Sequence, residues 1–205
     1  GLSRLRETLV AAHKERYGRV DDLYIGFQLT HSGRFCRPDT ETRNGARVAF
    51  RHPILDRKFN VTSDSQVLTD DALERLVNDY VCAAKIAALA GADFVDVKHC
   101  HGYLLHEVLA GHTRPGRYGG SFENRTRLTR EIILAIRSQA PGLEIGVRLS
   151  AFDLVPFKPN PALAEPGMLG PGMPEEYSGC LPYRYAFGVN MNNPVEYDLT
   201  ETVKF

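Results

Sequence analysis

The fold is decided by residues 94–125, which read FVDVKHCHGYLLHEVLAGHTRPGRYGGSFENR. A largely apolar strand, predicted over residues 94–98, runs directly into a cluster of ionisable side chains that extends to Tyr103. Donors and acceptors that gather where a strand opens into its loop are typical of the carboxyl end of a parallel strand, which is where α/β proteins bind ligands. The stretch therefore predicts a catalytic strand end.

Helical and extended segments alternate around this stretch. Strands are predicted over residues 23–29, 94–98 and 143–149. Helices are predicted over residues 2–16, from an N-cap at Thr69 to Leu89, and from an N-cap at Ser121 to the stop at 141–142. Because helices that join strands form right-handed crossovers, this order predicts parallel pairing and an α/β fold.

Polar side chains gather where each predicted strand ends. They are Gln28, Thr30 and His31 after the first strand, residues 98–103 after the second, and Arg148 and Ser150 after the third. Since the carboxyl ends of parallel strands meet at one edge of a sheet, we expect one shared site there.

The composition limits the class of partner. The 205 residues are fewer than the roughly 250 of a complete eight-stranded barrel. The 25 basic and 25 acidic residues balance, which favours a small-molecule substrate over nucleic acid or a membrane surface. No apolar run approaches the roughly 20 residues of a membrane span, and the first residues do not show the charged-then-apolar pattern of a signal peptide. The four cysteines form no CxxC pair, so we expect a reducing, cytoplasmic location.

The last quarter of the chain has a different character. Residues 151–194 are rich in proline and glycine and follow no sustained period, which predicts a long loop with a short hairpin, placed to act as a lid. A further helix is expected from Leu199, with Thr200 as its candidate cap, and its early end at Phe205 suggests truncation.

Four motifs in order resemble the signatures of the old yellow enzyme family, the FMN-dependent NADH:flavin oxidoreductases. They are QLTHSGR at 28–34, HGYLL at 101–105, RYGGSFENRTR at 117–127 and GVRLS at 146–150. The resemblance implies a TIM barrel, of which residues 1–205 would form one incomplete domain of about three β/α units. Two open sheet edges would then be completed by missing barrel portions or in a homo-oligomer.

The resemblance also implies roles for individual residues. Gln28 would hydrogen-bond the polar edge of the FMN ring, and Arg148 would stabilise the anionic reduced flavin. His31 would support the loop that follows Gln28. Tyr103 would give a proton to the substrate α-carbon while hydride from NAD(P)H, relayed by FMN, reaches the β-carbon of an activated alkene.

One position departs from the family pattern. Where the family places a His followed three residues later by Asn or His, to polarise the substrate carbonyl, this chain has Lys98 and His101. Lys98 could donate to a developing enolate and favour an anionic acceptor. Alternatively, it could pair with Asp96 or Glu107 and leave the substrate to His101 alone.

Two other functions stay open on sequence grounds. His99 and His101 form an HxH pair at a strand end, which resembles the metal ligands of barrel hydrolases, although Arg148 would repel a metal ion. A non-catalytic fragment of a larger flavoenzyme is the second alternative, because the barrel loops that bind the FMN phosphate follow later strands.

Overall fold

A computed structural model of the chain describes residues 1–37 and 45–205. The central sheet has three parallel strands in the order β1-β2-β3. The strands are β1, Gly26–Leu29; β2, Phe94–His99; and β3, Glu144–Leu149. Gly26 pairs with Phe94, and Phe94 with Glu144, so the three strands start level. The prediction of an α/β fold with parallel pairing is confirmed.

The first strand is shorter than the predicted 23–29. The backbone N–H of Ile25 donates to the Asp93 carboxylate at 2.7 Å instead of to a neighbouring strand. This side-chain acceptor ends the regular ladder, so pairing begins at Gly26.

Seven α-helices lie in the parts of the chain that the structure describes. They are α1, Leu2–Tyr17; α2, Leu55–Lys58; α3, Asp70–Leu89; α4, Leu104–Leu109; α5, Phe122–Arg125; α6, Arg127–Gln139; and α7, Thr200–Lys204. The predicted C-terminal end of α1 and the predicted N-terminal end of α3 are confirmed. Gly18 ends α1 in the left-handed conformation at φ 73°, and the Thr69 hydroxyl accepts a hydrogen bond from the Ala72 N–H at the start of α3.

The third predicted helix is divided in two. Ser121 caps α5 as expected, because its hydroxyl accepts from the Asn124 N–H at 3.3 Å. The Thr126 hydroxyl then donates to the Phe122 carbonyl at 2.9 Å, at the junction where α5 gives way to α6. A threonine hydroxyl that bonds back to the preceding turn competes with the helical ladder.

The region after β3 contains the expected hairpin. Strands β4, Phe157–Pro159, and β5, Gly172–Pro174, pair antiparallel. The prediction that Thr200 caps the last helix is wrong: Thr200 is the first helical residue, and its N–H and hydroxyl both donate to the Asp198 carboxylate, at 2.9 and 2.6 Å.

The two faces of the sheet differ. On one face, α3 and α6 complete a core whose buried members include Leu73, Ala84, Val95, Val97, Ile132 and Ile136. Because side chains alternate along a strand, Gln28, Asp96, Lys98 and Arg148 lie on the other face, which we call the open face. None of the described helices combines the length and apolarity needed to cross a membrane.

Candidate functional site

The open face carries a row of polar side chains at the carboxyl ends of the strands. Gln28 on β1 lies directly opposite Asp96 on β2, and Lys98 on β2 lies directly opposite Arg148 on β3. Neighbours in register on parallel strands project to the same side. The structure therefore brings together three residues that the sequence predicted for one site: Gln28, Lys98 and Arg148.

Gln28 is held by its neighbour. Its side-chain Nε2 donates to Asp96 Oδ2 at 2.7 Å. This charge-assisted bond orients the amide, and the amide oxygen accepts no hydrogen bond from any residue described. Gln28 thus presents a fixed acceptor on the open face.

Tyr103 joins this row through Lys98. The Lys98 ammonium lies 3.6 Å from the centroid of the Tyr103 ring, a cation–π contact. The Tyr103 ring also lies 5.4 Å from that of Phe35, so an aromatic neighbour restricts it. The side chains of Lys98 and Tyr103 are therefore in contact at the end of β2.

The structure does not support the alternative that Lys98 pairs with Asp96 or Glu107. Asp96 accepts from Gln28, and Glu107 is bound by Arg34, whose Nε donates to it at 2.9 Å. Glu107 Oε2 also accepts from the Ala49 N–H at 3.1 Å. Both carboxylates accept hydrogen bonds from other residues, and neither forms an ion pair with Lys98.

His101 lies in the tight turn between β2 and α4. It has φ 61°, an uncommon value for a residue with a Cβ, and Gly102 follows at φ 67°. The His101 N–H donates to Ser150 Oγ at 3.3 Å, which ties this turn to the end of β3. Strained backbone at a strand end is typical of functional sites.

His31 supports the loop after β1. Its Nδ1 accepts from the Gly33 N–H at 3.0 Å, and its carbonyl accepts from the Leu104 N–H at 3.1 Å. Burial lowers the pKa of His31, so the imidazole stays neutral near pH 7. A Cβ at Gly33 would lie 2.8 Å from the Leu104 nitrogen, so this close contact with α4 requires glycine.

A cavity of about 620 Å³ lies beside the open face, and His101 lines it. Aromatic rings supply much of its wall: Phe35, Phe50, Phe59, Phe152, Phe157 and Tyr185. His52 is also part of the wall, and burial lowers its pKa to about 3. Lys98, Gln28 and Arg148 are not among its lining residues, so the predicted site residues fall into two adjacent groups.

Sequence reasoning missed most of the residues that build this cavity. Arg34 donates to the Asp56 carboxylate at 2.6 Å and to Glu107, and this buried network joins the loop after β1 to α4. His106 accepts from the Gly102 N–H through Nδ1 at 3.0 Å. The only signal was the arginine that ends the motif at 28–34.

The HxH pair does not form a metal site. His99 is fully buried, its Nδ1 donates to the Val97 carbonyl at 3.2 Å, and its Nε2 accepts from the Thr129 hydroxyl at 2.7 Å. Burial lowers the pKa of His99 to about 4. His99 is thus occupied in the core, whereas His101 lines the cavity. Across residues 1–37 and 45–205, no group of three or more His, Cys, Asp or Glu side chains could hold a metal ion.

Three parallel strands joined by helices, with polar side chains at their carboxyl ends, define an α/β fold of the kind found in barrels. Residues 18–170 match the NADH:flavin oxidoreductase / NADH oxidase family. This match covers most of the chain, so the chain belongs to that family, and the resemblance found in the sequence is confirmed.

Individual relatives agree with this family. An NADH:flavin oxidoreductase of Gibberella zeae is 36% identical over 143 residues, which are 63% of this chain and 35% of the relative. The putative 12-oxophytodienoate reductase-like protein 1 of Arabidopsis thaliana is 32% identical over 61% of this chain and 40% of its own length. The chain therefore spans well under half of the length of these two relatives.

Solved structures support the same fold. The crystal structure of Old Yellow Enzyme from Pichia sp. AKU4542 matches with a TM-score of 0.52 and 31% identity, over 62% of this chain and 36% of that one. Histamine dehydrogenase from Rhizobium sp. 4-9 matches with a TM-score of 0.55 and 24% identity, over 73% and 22% respectively, and shows the fold alone.

Proposed function

We propose that this chain supplies the ring-binding side of the site of an FMN-dependent oxidoreductase. Bound FMN would relay hydride from NAD(P)H to an activated alkene or a related acceptor. The observation that carries the proposal is the row on the open face, where Gln28 and Arg148 flank Lys98 and Tyr103 at the ends of adjacent strands. The family match supports it.

Gln28 and Arg148 fit the polar edge of a flavin ring. The bond to Asp96 fixes the Gln28 amide and leaves its oxygen ready to accept from a ring N–H. Arg148 makes no ion pair with any described residue, so its guanidinium can balance the negative charge of a reduced ring. Both side chains would thus bind and orient the ring, and Arg148 would favour its reduced form.

His31 would act indirectly, as a positioning residue. Its two hydrogen bonds fix the backbone that follows Gln28, and its lowered pKa keeps it from adding charge to the loop. We propose that it holds Gln28 in place without touching the cofactor.

Tyr103 would be the proton donor. Reduction of an activated alkene adds hydride to the β-carbon and a proton to the α-carbon, and a phenol at a strand end can supply that proton. His101, in the strained turn at the edge of the cavity, and Lys98, on the open face, would hold the acceptor's carbonyl oxygen between them.

The variant Tyr103→Phe tests this role in the flavin-loaded protein. Reoxidation of the reduced protein by an enone should slow by roughly 10²- to 10⁴-fold, because the proton donor is lost. Reduction by NAD(P)H should keep its rate. Stopped-flow absorbance of the flavin measures the two half-reactions separately.

The matched control is Tyr17→Phe, since Tyr17 is exposed at the end of α1 and far along the chain from the strand ends. It should leave both half-reactions unchanged. If Tyr103→Phe slowed both half-reactions equally, Tyr103 would be a structural residue and not the proton donor.

A further inference from the structure

The buried positive charges of the protein differ in whether they have a counter-ion. Among the described residues, four lysine or arginine side chains are buried: Arg34, Lys98, Arg114 and Arg125. Leaving a buried charge without a counter-ion is costly, so buried cations are normally paired.

Three of these cations follow that rule. Arg34 donates to Asp56 at 2.6 Å, Arg114 donates to Asp70 at 2.7 Å, and Arg125 donates to Glu201 at 2.5 Å. Each pair is closed within the chain, so none of these arginines is free to bind an external anion.

Lys98 is the exception. Its side chain is among the buried ones, at 9% exposure, yet it makes no ion pair or hydrogen bond with any residue between 1 and 37 or between 45 and 205. Its ammonium instead lies over the face of the Tyr103 ring, 3.6 Å from the ring centroid. A ring face attracts a cation but carries no negative charge that could neutralise it.

The neighbour across the sheet increases the imbalance. Lys98 lies directly opposite Arg148, and like charges opposite each other on adjacent strands destabilise a sheet. The carboxylate nearest in sequence on this face, Asp96, accepts a hydrogen bond from the neutral Gln28 amide and keeps its negative charge, but it makes no ion pair with Lys98.

We propose that Lys98 binds a carboxylate of the acceptor, so that the protein prefers acceptors that carry one over their neutral analogues. This inference deepens the proposed function, on which it rests for the reaction, and adds the substrate class. The Lys98 ammonium has three N–H donors, so at the end of β2, beside the Tyr103 ring, it would donate to this carboxylate as well as to the carbonyl oxygen.

The test is equilibrium binding of a non-reducible pair of probes, benzoate and benzamide, which have similar shape and differ in charge. Titration calorimetry at low ionic strength, without flavin, should show that the protein binds benzoate roughly 10- to 100-fold more tightly than benzamide. In Lys98→Met most of this preference should be lost, and in Lys98→Arg it should be largely retained.

The control is Lys85→Met, because Lys85 lies on α3 and donates to Gln139, away from the open face. It should keep the preference for benzoate. Equal binding of benzoate and benzamide by the unmodified protein, or an unchanged preference in a folded Lys98→Met variant, would overturn the inference.

The same titrations, repeated beside a flavin-binding measurement, separate the two proposals. Flavin binding without any benzoate preference would overturn only the role of Lys98. A benzoate preference that depends on Lys98, in a protein that binds no flavin, would overturn the proposed function and leave the carboxylate site standing.

Discussion

At the scale of single residues, burial keeps several histidines uncharged. His99 lies in the core with a pKa of about 4, and His52 lies beside the cavity with a pKa of about 3. In both cases burial is the largest cause, because water that would stabilise the imidazolium is excluded. Their neutrality leaves Lys98 and Arg148 as the adjacent positive charges on the open face.

This neutrality predicts a pH dependence of stability. Below the ordinary histidine pKa of 6.5 the unfolded chain takes up a proton that buried His99 refuses until about pH 4. The unfolded state therefore binds more protons in this window, and the free energy of unfolding falls as the pH drops from 6.5 to 4. His99→Asn should remove about 2 kcal/mol of the loss between pH 7 and pH 5.

Urea unfolding at several pH values measures this slope. His13→Asn is the control, since His13 lies on α1 and pairs with Asp22 outside the core. It should not reduce the loss of stability in acid. Parallel pH profiles for the His99→Asn variant and the unmodified protein would show that His99 does not contribute.

The positions of the candidate site residues could be predicted from the sequence, but their contacts could not. The pattern placed Gln28, Lys98, Tyr103 and Arg148 at strand ends, because hydrophobic periodicity fixes where strands stop. It left three options open for Lys98, since the partners of a side chain depend on residues distant in sequence. The Arg34–Glu107 pair, 73 positions apart, removed one of those options.

At the scale of elements, caps and periodicity predicted the long helices. Helix α1 ends at Gly18 and helix α3 begins after Thr69, because these residues satisfy helix-end backbone groups locally. The short helix α4 was not predicted, because all six of its residues are buried, including His106 and Glu107. A helix with polar residues on its buried side has no amphipathic stripe to detect.

The cap at Thr69 makes a prediction about α3. Its hydroxyl accepts from the Ala72 N–H at 3.2 Å, so Thr69→Ala should lower the free energy of unfolding by about 1 kcal/mol. Chemical denaturation measures the change. Thr69→Ser keeps the acceptor and should stay within a few tenths of a kcal/mol of the unmodified protein. An equal loss in both variants would show that the methyl group, and not the cap, matters.

At the scale of the whole molecule, the sheet is asymmetric. One face is covered by α3 and α6, whereas the open face presents Gln28, Lys98 and Arg148 at adjacent strand ends. The parallel order and this polar edge follow from the alternation of helices and strands, so the sequence was sufficient to predict them. The neighbouring cavity was not predicted, because loops distant in sequence build its walls.

The central claim is that the open face binds the ring of a flavin. Lumiflavin tests it most directly, because it has the isoalloxazine ring without the phosphate that other loops of the family hold. Quenching of lumiflavin fluorescence should report binding, weakened roughly 10-fold by Gln28→Leu and by Arg148→Met, the size expected for one charged or well-oriented hydrogen bond. Arg137→Met, on the exposed side of α6, should leave binding unchanged. No quenching, or quenching that survives both Gln28→Leu and Arg148→Met, would contradict the claim.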